Sequence, residues 1–377
     1  MPQPIPKLDT PLLLAPDFKE KIWGREELNP LYADLDLGDG AQGPGHPVWG
    51  LDLSPRDKDQ PALPRIGEAW LTGGNATFLS GPVAGLTLAE VLRSGPQRLC
   101  GPNWSSTEFP LLAKFLFTSD WLSMQVHPND DYAARHEKSR GKTEAWYIIA
   151  GADNAEIALA LPPGTTRGAL EAACRGSRTL DLALRFKPAR GEVVYVPAGT
   201  LHALGPNLVL FEVSETSDVT YRLDDYGRLD PQGRPRQLHL ERGVETTRIE
   251  FPGRRDLPKI EVSEEFGRRR YALACRHFAV EELVVRQHAK LSAASDRVEC
   301  LAVIAGAGRM EMAVGWLAYR PGQTWVIPAG AAPYRLAPEK PSLLIRFYVP
   351  DLDRDFRQPL ERRGVSPSMI SQVVFDD

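Results

Sequence analysis

The 377-residue sequence predicts an all-β-dominated protein, built as two β-rich units with a few short helices. Three observations lead there. Short apolar runs are punctuated throughout by 32 glycines and 33 prolines, which cut the chain into strand-length pieces. No long helical patterns alternate with strands, which argues against a doubly wound parallel sheet and for a sandwich or barrel. The sequence also repeats itself. Gly191-Glu-Val-Val-Tyr-Val-Pro-Ala-Gly199 is echoed by Gly322-Gln-Thr-Trp-Val-Ile-Pro-Ala-Gly330. Glu144 to Gly151, ending Ile-Ile-Ala-Gly, is echoed by Glu299 to Gly306, ending Val-Ile-Ala-Gly.

Taken in order, the N-terminus Met-Pro-Gln-Pro-Ile-Pro-Lys7 lacks a signal-peptide core. Residues 38–65, rich in glycine, proline and charge, read as a long surface insertion. Thr87–Arg93 reads as a short helix, with Thr87 and Glu90 at capping-box spacing. Asn129–Gly141 reads as a short capped helix, and Gly168–Cys174 as a short helix. Ala155–Leu161, Val193–Val196 and Leu208–Val213 read as strands. The polar stretch Asp225–Asp256 is the candidate connection. A first unit then spans residues 1–250 and a second spans 258–350. The charged segment 351–377 is expected to be a peripheral tail.

Composition narrows the function. With 42% hydrophobic and 25% charged residues, the chain is ordinary for a globular protein with a large core. A net charge of −4 gives no electrostatic case for nucleic acid or an anionic membrane. No apolar run approaches the roughly 20 residues that span a bilayer. Cys100, Cys174, Cys275 and Cys300 show no CxxC spacing and read as free thiols in a reducing cytoplasm.

The chemistry concentrates in three segments. Gln125-Val126-His127-Pro128 offers an amide and an imidazole two residues apart, on one face of a strand. Lys142-Thr143-Glu144-Ala145-Trp146-Tyr147 brings a carboxylate to the head of an aromatic-apolar run, where burial is costly unless the charge is paired or metal-bound. Gly191–His202 reads as a strand entering a Pro/Gly turn that presents His202. Gln125, His127, Glu144 and His202 together suit zinc or a similar first-row divalent ion. His46, His136, His239, His277 and His288 lack such context and read as structural or exposed. Trp23, Trp70 and Trp146 read as core or pocket wall.

Residues 191–202 resemble the cupin motif G-x5-P-x-G-x2-H at every position, and Glu144 to Gly151 fits the other motif's ending, E-x6-G. Two departures stand out. Gln-x-His replaces His-x-His, and the ligand glutamate follows only after the helical stretch at 129–141. That variant resembles the type I phosphomannose isomerases. The blocks around Lys114, Ser123 and Gln125, then Gly141-Lys-Thr-Glu144, Pro197–His202 and Ser217-Asp218-Val-Thr-Tyr-Arg222, continue the likeness, as do Trp23-Gly24 and Gly67-Glu68-Ala-Trp70. It spans about residues 20–228. Arg25 and Leu71 depart from the family's usual Gly and Glu.

With the cupin likeness, the internal repeat reads as a second jelly-roll barrel at 258–350, and the ligand inventory gives one zinc, or another divalent metal, per chain. The resemblance implies a cis-enediol isomerisation between mannose 6-phosphate and fructose 6-phosphate. Lys142, Glu212, Asp218 and Arg222 match the family's catalytic positions, and Lys114 and Ser123 its substrate-pocket positions. Lys142 and Glu212 both remain candidates for moving the proton, and Arg222 for holding developing negative charge or phosphate. The expected partner is a small sugar phosphate, with no nucleic acid and no membrane, and the expected state is a monomer or weak homo-oligomer. Rival readings are a cupin acting on another sugar, an iron- and oxygen-dependent oxygenase, and a non-catalytic sugar-binding cupin. The second unit is expected to be metal-free, because Pro333 stands where the repeat calls for His202, and Gln287 and His288 are adjacent.

Overall fold

The computed structural model describes residues 6–25, 28, 65–230, 232–250 and 253–376. The surface insertion read at 38–65 lies outside the described residues but for its last one, and so does His46. Among the described residues the protein is predominantly β, in three antiparallel sheets. No described helix is long and apolar enough to cross a membrane.

A six-stranded sheet forms the middle layer. Its order is Val193–Val196, Glu144–Gly151, Leu208–Glu215, Leu111–Phe117, Ile66–Trp70, Asp17–Arg25. Strand Leu111–Phe117 is buried at every position, and so is Leu208–Glu215, because this sheet is covered on both faces. Alternation then sends successive side chains to different cores. Phe115, Tyr147, Phe211 and Val213 join Val280, Cys300, Ala302 and Phe347 of the C-terminal sheet. Leu116, Trp146, Ile148 and Leu210 pack the other way, on Ile157, Leu159 and Leu204. The latter belong to a five-stranded sheet ordered Tyr221–Asp224, Met124–Val126, His202–Leu204, Ile157–Leu159, Arg185–Phe186.

The C-terminal sheet has ten strands and wraps a core of its own, including Leu283, Val303, Tyr319, Trp325, Leu336 and Leu344. Its register reproduces that of the middle sheet. Glu144 lies opposite Val196 and Ser214, and Glu299 lies opposite Ile327 and Tyr348. Lys114 faces Glu212 across the strands, and at the matching place Glu281 faces Arg346. The repeat thus extends to position and burial, with the two charges exchanged. Arg346 donates to Glu299 at 2.7 and 3.2 Å and to Glu281 at 3.3 Å.

Expected elements appear with local adjustments. The capping box holds, with Thr87 capping the helix Leu88–Ser94 and Glu90 reaching back. Asn129 caps Asp130–His136, and Thr166 caps Arg167–Arg175. The strand read at 155–161 shortens to Ile157–Leu159. All four cysteines are free and buried.

Three readings need correction. Strand Leu12–Ala15 pairs with Thr324–Ile327 of the C-terminal sheet, so a boundary between residues 250 and 258 does not separate the sheets. Leu12 and Leu14 are buried there and cover an edge that would otherwise be open. The segment 225–256 is more than a connection, since it contains the helix Leu240–Thr246. The tail is not peripheral. Phe356, Leu360, Ile370, Val373 and Val374 are buried against Tyr271 and Tyr348, and Phe375 stacks on Tyr195 at 4.5 Å. Its charged residues face solvent on one side of short helices whose other side is apolar.

Candidate metal centre and sugar-phosphate pocket

Between the middle sheet and the five-stranded sheet lies a cavity of about 260 Å³. On one wall, cross-strand register aligns Arg222, Gln125 and His202 side by side. On the other, Trp70, Lys114, Glu212 and Trp146 form the corresponding row. Side chains of one row point toward the other because both sheets expose one face to this space.

His127, Glu144 and His202 bring their ligating atoms within 4.8 Å of one another, all three buried. His127 Nδ1 is 2.8 Å from Val219 O and His202 Nδ1 is 2.9 Å from Thr200 O. Each Nδ1–H therefore donates to a carbonyl, and each Nε2 carries its lone pair toward Glu144. The Nε2 atoms lie 3.7 and 3.3 Å from the Glu144 oxygens. His127 Nε2 is buried without a hydrogen-bond partner. Burial holds both imidazoles below their ordinary range, so both are neutral, as a ligand must be.

Gln125 lies beside these three. Ser123 Oγ donates to Gln125 Oε1 at 3.2 Å, and Gln125 Nε2 faces His202 Nε2 at 3.2 Å. Ligation calls for Oε1 on that side, and a half-turn of the amide supplies it. Ser123 Oγ then accepts from Nε2 instead of donating, since a hydroxyl does both. The turn before His202 is built for this placement. Gly199 has φ +87 and donates its N–H to His127 O at 2.8 Å, and a Cβ there would lie 2.6 Å from Arg248 Cγ. The orphaned nitrogen, the neutral imidazoles and the buried carboxylate fit a divalent ion.

Beside the ligands lies a ladder of alternating charge. Lys142 contacts Glu144 and donates to Glu212 Oε1 at 3.0 Å. Lys114 lies 3.6 Å from Glu212, 3.9 Å from Glu68 and 3.9 Å from Asp218. Burial opposes the charge on Lys142, but Glu144 and Glu212 outweigh it and hold the ammonium well above its usual range. Lys114 is raised in the same way against burial, by Glu68 and Glu212. Burial raises Glu144, yet the Lys142 ammonium brings its carboxyl below the ordinary range. Asp218 sits at the rim, 68% exposed on its side chain. Arg222 lines the cavity, donates to Gln237 O at 2.9 Å and keeps a buried Nε with no partner.

Every proposed ligand and pocket residue therefore lies in or against one cavity. Glu68 belongs there too and did not stand out as a site residue. It accepts from Trp70 Nε1 at 2.6 Å and lies 3.4 Å from Lys21. Its signal was a lone charge within the apolar strand Ile66–Trp70. Arg236 also lines the cavity, held by Asp225 at 2.7 Å, and no local pattern in its polar stretch marks it. His239, expected to be structural, accepts from Arg222 N–H at 3.1 Å and so supports the site from behind. Of the two family departures, Leu71 is buried in the shared core, and Arg25 is not among the cavity-lining residues.

Residues 49–169 match the family model described as phosphomannose isomerase type I, catalytic domain. The mannose-6-phosphate isomerase ManA of Bacillus subtilis (strain 168) is 31% identical over 332 residues, covering 86% of this chain and 95% of that protein. The mannose-6-phosphate isomerase of Streptococcus mutans is 29% identical over 318 residues, covering 84% and 92%. The crystal structure of the mannose 6-phosphate isomerase from Bacillus subtilis superposes with a TM-score of 0.75 at 28% identity, over 90% of this chain and 99% of that one. A mutant of the phosphomannose isomerase from Salmonella typhimurium shares the fold, with a TM-score of 0.64 at 15% identity, over 90% of this chain and 99% of that one.

Proposed function

The chain belongs to the type I phosphomannose isomerases, and from that premise we propose that it interconverts mannose 6-phosphate and fructose 6-phosphate at the cavity around Gln125, His127, Glu144 and His202. The carrying observation is the buried, unpartnered His127 Nε2 aimed with His202 Nε2 at one carboxylate. Zinc suits this set of two imidazoles, a carboxylate and an amide oxygen.

Once bound there, a divalent ion supplies Lewis-acid polarisation of the sugar carbonyl. The remaining work falls to the chain. The proton must leave C2 and return to C1 on one face of a cis-enediol. Lys142, held as an ammonium beside Glu144 and Glu212, is placed to donate hydrogen bonds to the sugar oxygens. Glu212, 3.0 Å from Lys142 and 3.6 Å from Lys114, is the buried cavity carboxylate beside both lysines and our candidate to carry the proton. Arg222 and Lys114 offer positive charge to the phosphate or to the developing oxyanion. Trp23, Leu116 and Leu122 give the cavity apolar wall, which limits water around the enediol.

The C-terminal unit reads as a second jelly-roll barrel without an ion. The repeated register and the core enclosed by its own sheet support this, as do the exposed Gln287, His288 and Pro333. A cytoplasmic monomer or weak oligomer is the matching setting.

A coupled assay with mannose 6-phosphate, together with metal analysis of the purified protein, tests the reading. Turnover should accompany about one ion per chain and vanish on chelation. A second stoichiometric ion coordinated beyond Pro258 would overturn the assignment of the C-terminal unit, and absence of turnover with a full ion would overturn the activity. Arg222→Ala should retain the ion and lose about 10² in kcat/KM. Equal falls in kcat and kcat/KM would locate its work in the transition state, and a rise in KM alone would locate it in binding. Unchanged kinetics would remove Arg222 from the pocket.

A further inference from the structure

A second cluster of titratable groups joins the C-terminal sheet to the catalytic unit. Asp130, Glu215 and His277 bring their ligating atoms within 4.8 Å of one another. These donors resemble an ion site, yet the described bonds spend them on protein. Asp130 Oδ1 accepts from Gly141 N–H at 2.9 Å, and Oδ2 lies 3.7 Å from Arg276 Nη2. Glu215 Oε1 accepts from Thr143 N–H at 2.9 Å, and Oε2 lies 3.1 Å from His277 Nδ1. His277 Nε2 accepts from Arg276 Nε at 2.8 Å. That bond puts the ring proton on Nδ1, so His277 donates to Glu215.

The two peptide N–H groups held by these carboxylates belong to Gly141 and Thr143, the residues on either side of Lys142. Lys142 N–H itself donates to Pro128 O at 3.0 Å. Gly141 leaves no slack, since a Cβ there would lie 2.5 Å from Asp130 N. Three successive backbone donors are thus fixed beneath a side chain that contacts both Glu144 and Glu212. Two carboxylates this close repel each other, and Arg276 and His277 offset that repulsion. Both come from the turn between Gly267–Ala274 and Ala279–Val285 of the C-terminal sheet.

We infer that His277 is a positioning residue for the isomerisation, lent by the C-terminal unit: it orients Glu215, which with Asp130 fixes the backbone from which Lys142 reaches the cavity. This rests on the role proposed above for Lys142. Without the His277 N–H, Glu215 loses a donor and turns, and Thr143 N–H loses its acceptor. Lys142 Nζ then wanders, and misplacement by about 1 Å is enough to cost up to about 10² in rate.

The test uses the full chain as His277→Ala, His277→Asn, Glu215→Gln and Lys142→Ala, with kcat, KM, metal content and melting temperature measured on each. His277→Ala should lose about tenfold in kcat, with KM within about twofold and the ion retained. His277→Asn, whose amide N–H can face Glu215, should regain most of that loss. Glu215→Gln keeps the volume and should lose kcat in the same way, so it carries the test if His277→Ala does not fold. Wild-type kcat in His277→Ala, or equal losses in the alanine and asparagine variants, overturns the inference, as does a loss that follows metal content. If Lys142→Ala turns over normally, the reading of Lys142 itself fails. If Lys142→Ala is inactive while His277→Ala is normal, only the positioning role fails.

Discussion

Replacing His127 or His202 with alanine is expected to remove bound metal and activity together. Each imidazole has one nitrogen committed to a backbone carbonyl and the other directed at Glu144. Alanine removes a preoriented ligand and leaves too few groups for a stable transition-metal site. Lewis-acid polarisation is worth several kcal/mol of barrier, and each ~1.4 kcal/mol is a factor of ten, so turnover should fall by at least ~10³-fold. Metal analysis and the isomerase assay on the same preparations check this. Full occupancy in both variants would sink the ligand assignment.

Lys142→Ala is expected to keep the fold and the ion while losing about 10²–10³ in kcat, the usual scale for a preorganised donor to developing negative charge. The lysine is buried between Glu144 and Glu212, and these two sustain its charge against desolvation. Its removal leaves Glu212 with Lys114 at 3.6 Å, and Glu144 with the ion. Neither carboxylate is therefore stranded, which is why folding should survive. Metal content near one per chain with collapsed kcat is the predicted result. Loss of the ion instead would assign the lysine to holding Glu144, and normal turnover would exclude it from the chemistry.

The proposed ligands were legible in the sequence because metal coordination demands particular donors, and strand and turn geometry place those donors at short, fixed spacings. Gln125 and His127 are two apart, and Pro197 and Gly199 announce His202. Lys114 was legible as a charge in a run with no exposed face. Glu68, Arg236 and His277 were harder, because their meaning depends on which strands become neighbours. His277 meets Glu215 only because the C-terminal sheet packs against the strand Leu208–Glu215. The crossing of Leu12–Ala15 into the far sheet has the same origin, since its continuous apolar run suits either sheet and only the vacant edge decides. In the tail, high charge masked an apolar side formed by residues spaced along short helices.

Arg346 lies between Glu281 and Glu299, at the place where the strand register repeats that of Glu212 beside Lys114 and Glu144. Its guanidinium is a cation delivered by translation, whereas the catalytic unit, besides Lys142 and Lys114, is proposed to take a divalent ion from the surroundings. Scarcity of divalent ions therefore disturbs only one of two structurally matched positions. The C-terminal sheet stays charge-balanced and continues to support the shared core. Chelation is therefore expected to end turnover while leaving the C-terminal core folded, which circular dichroism of the chelated protein checks.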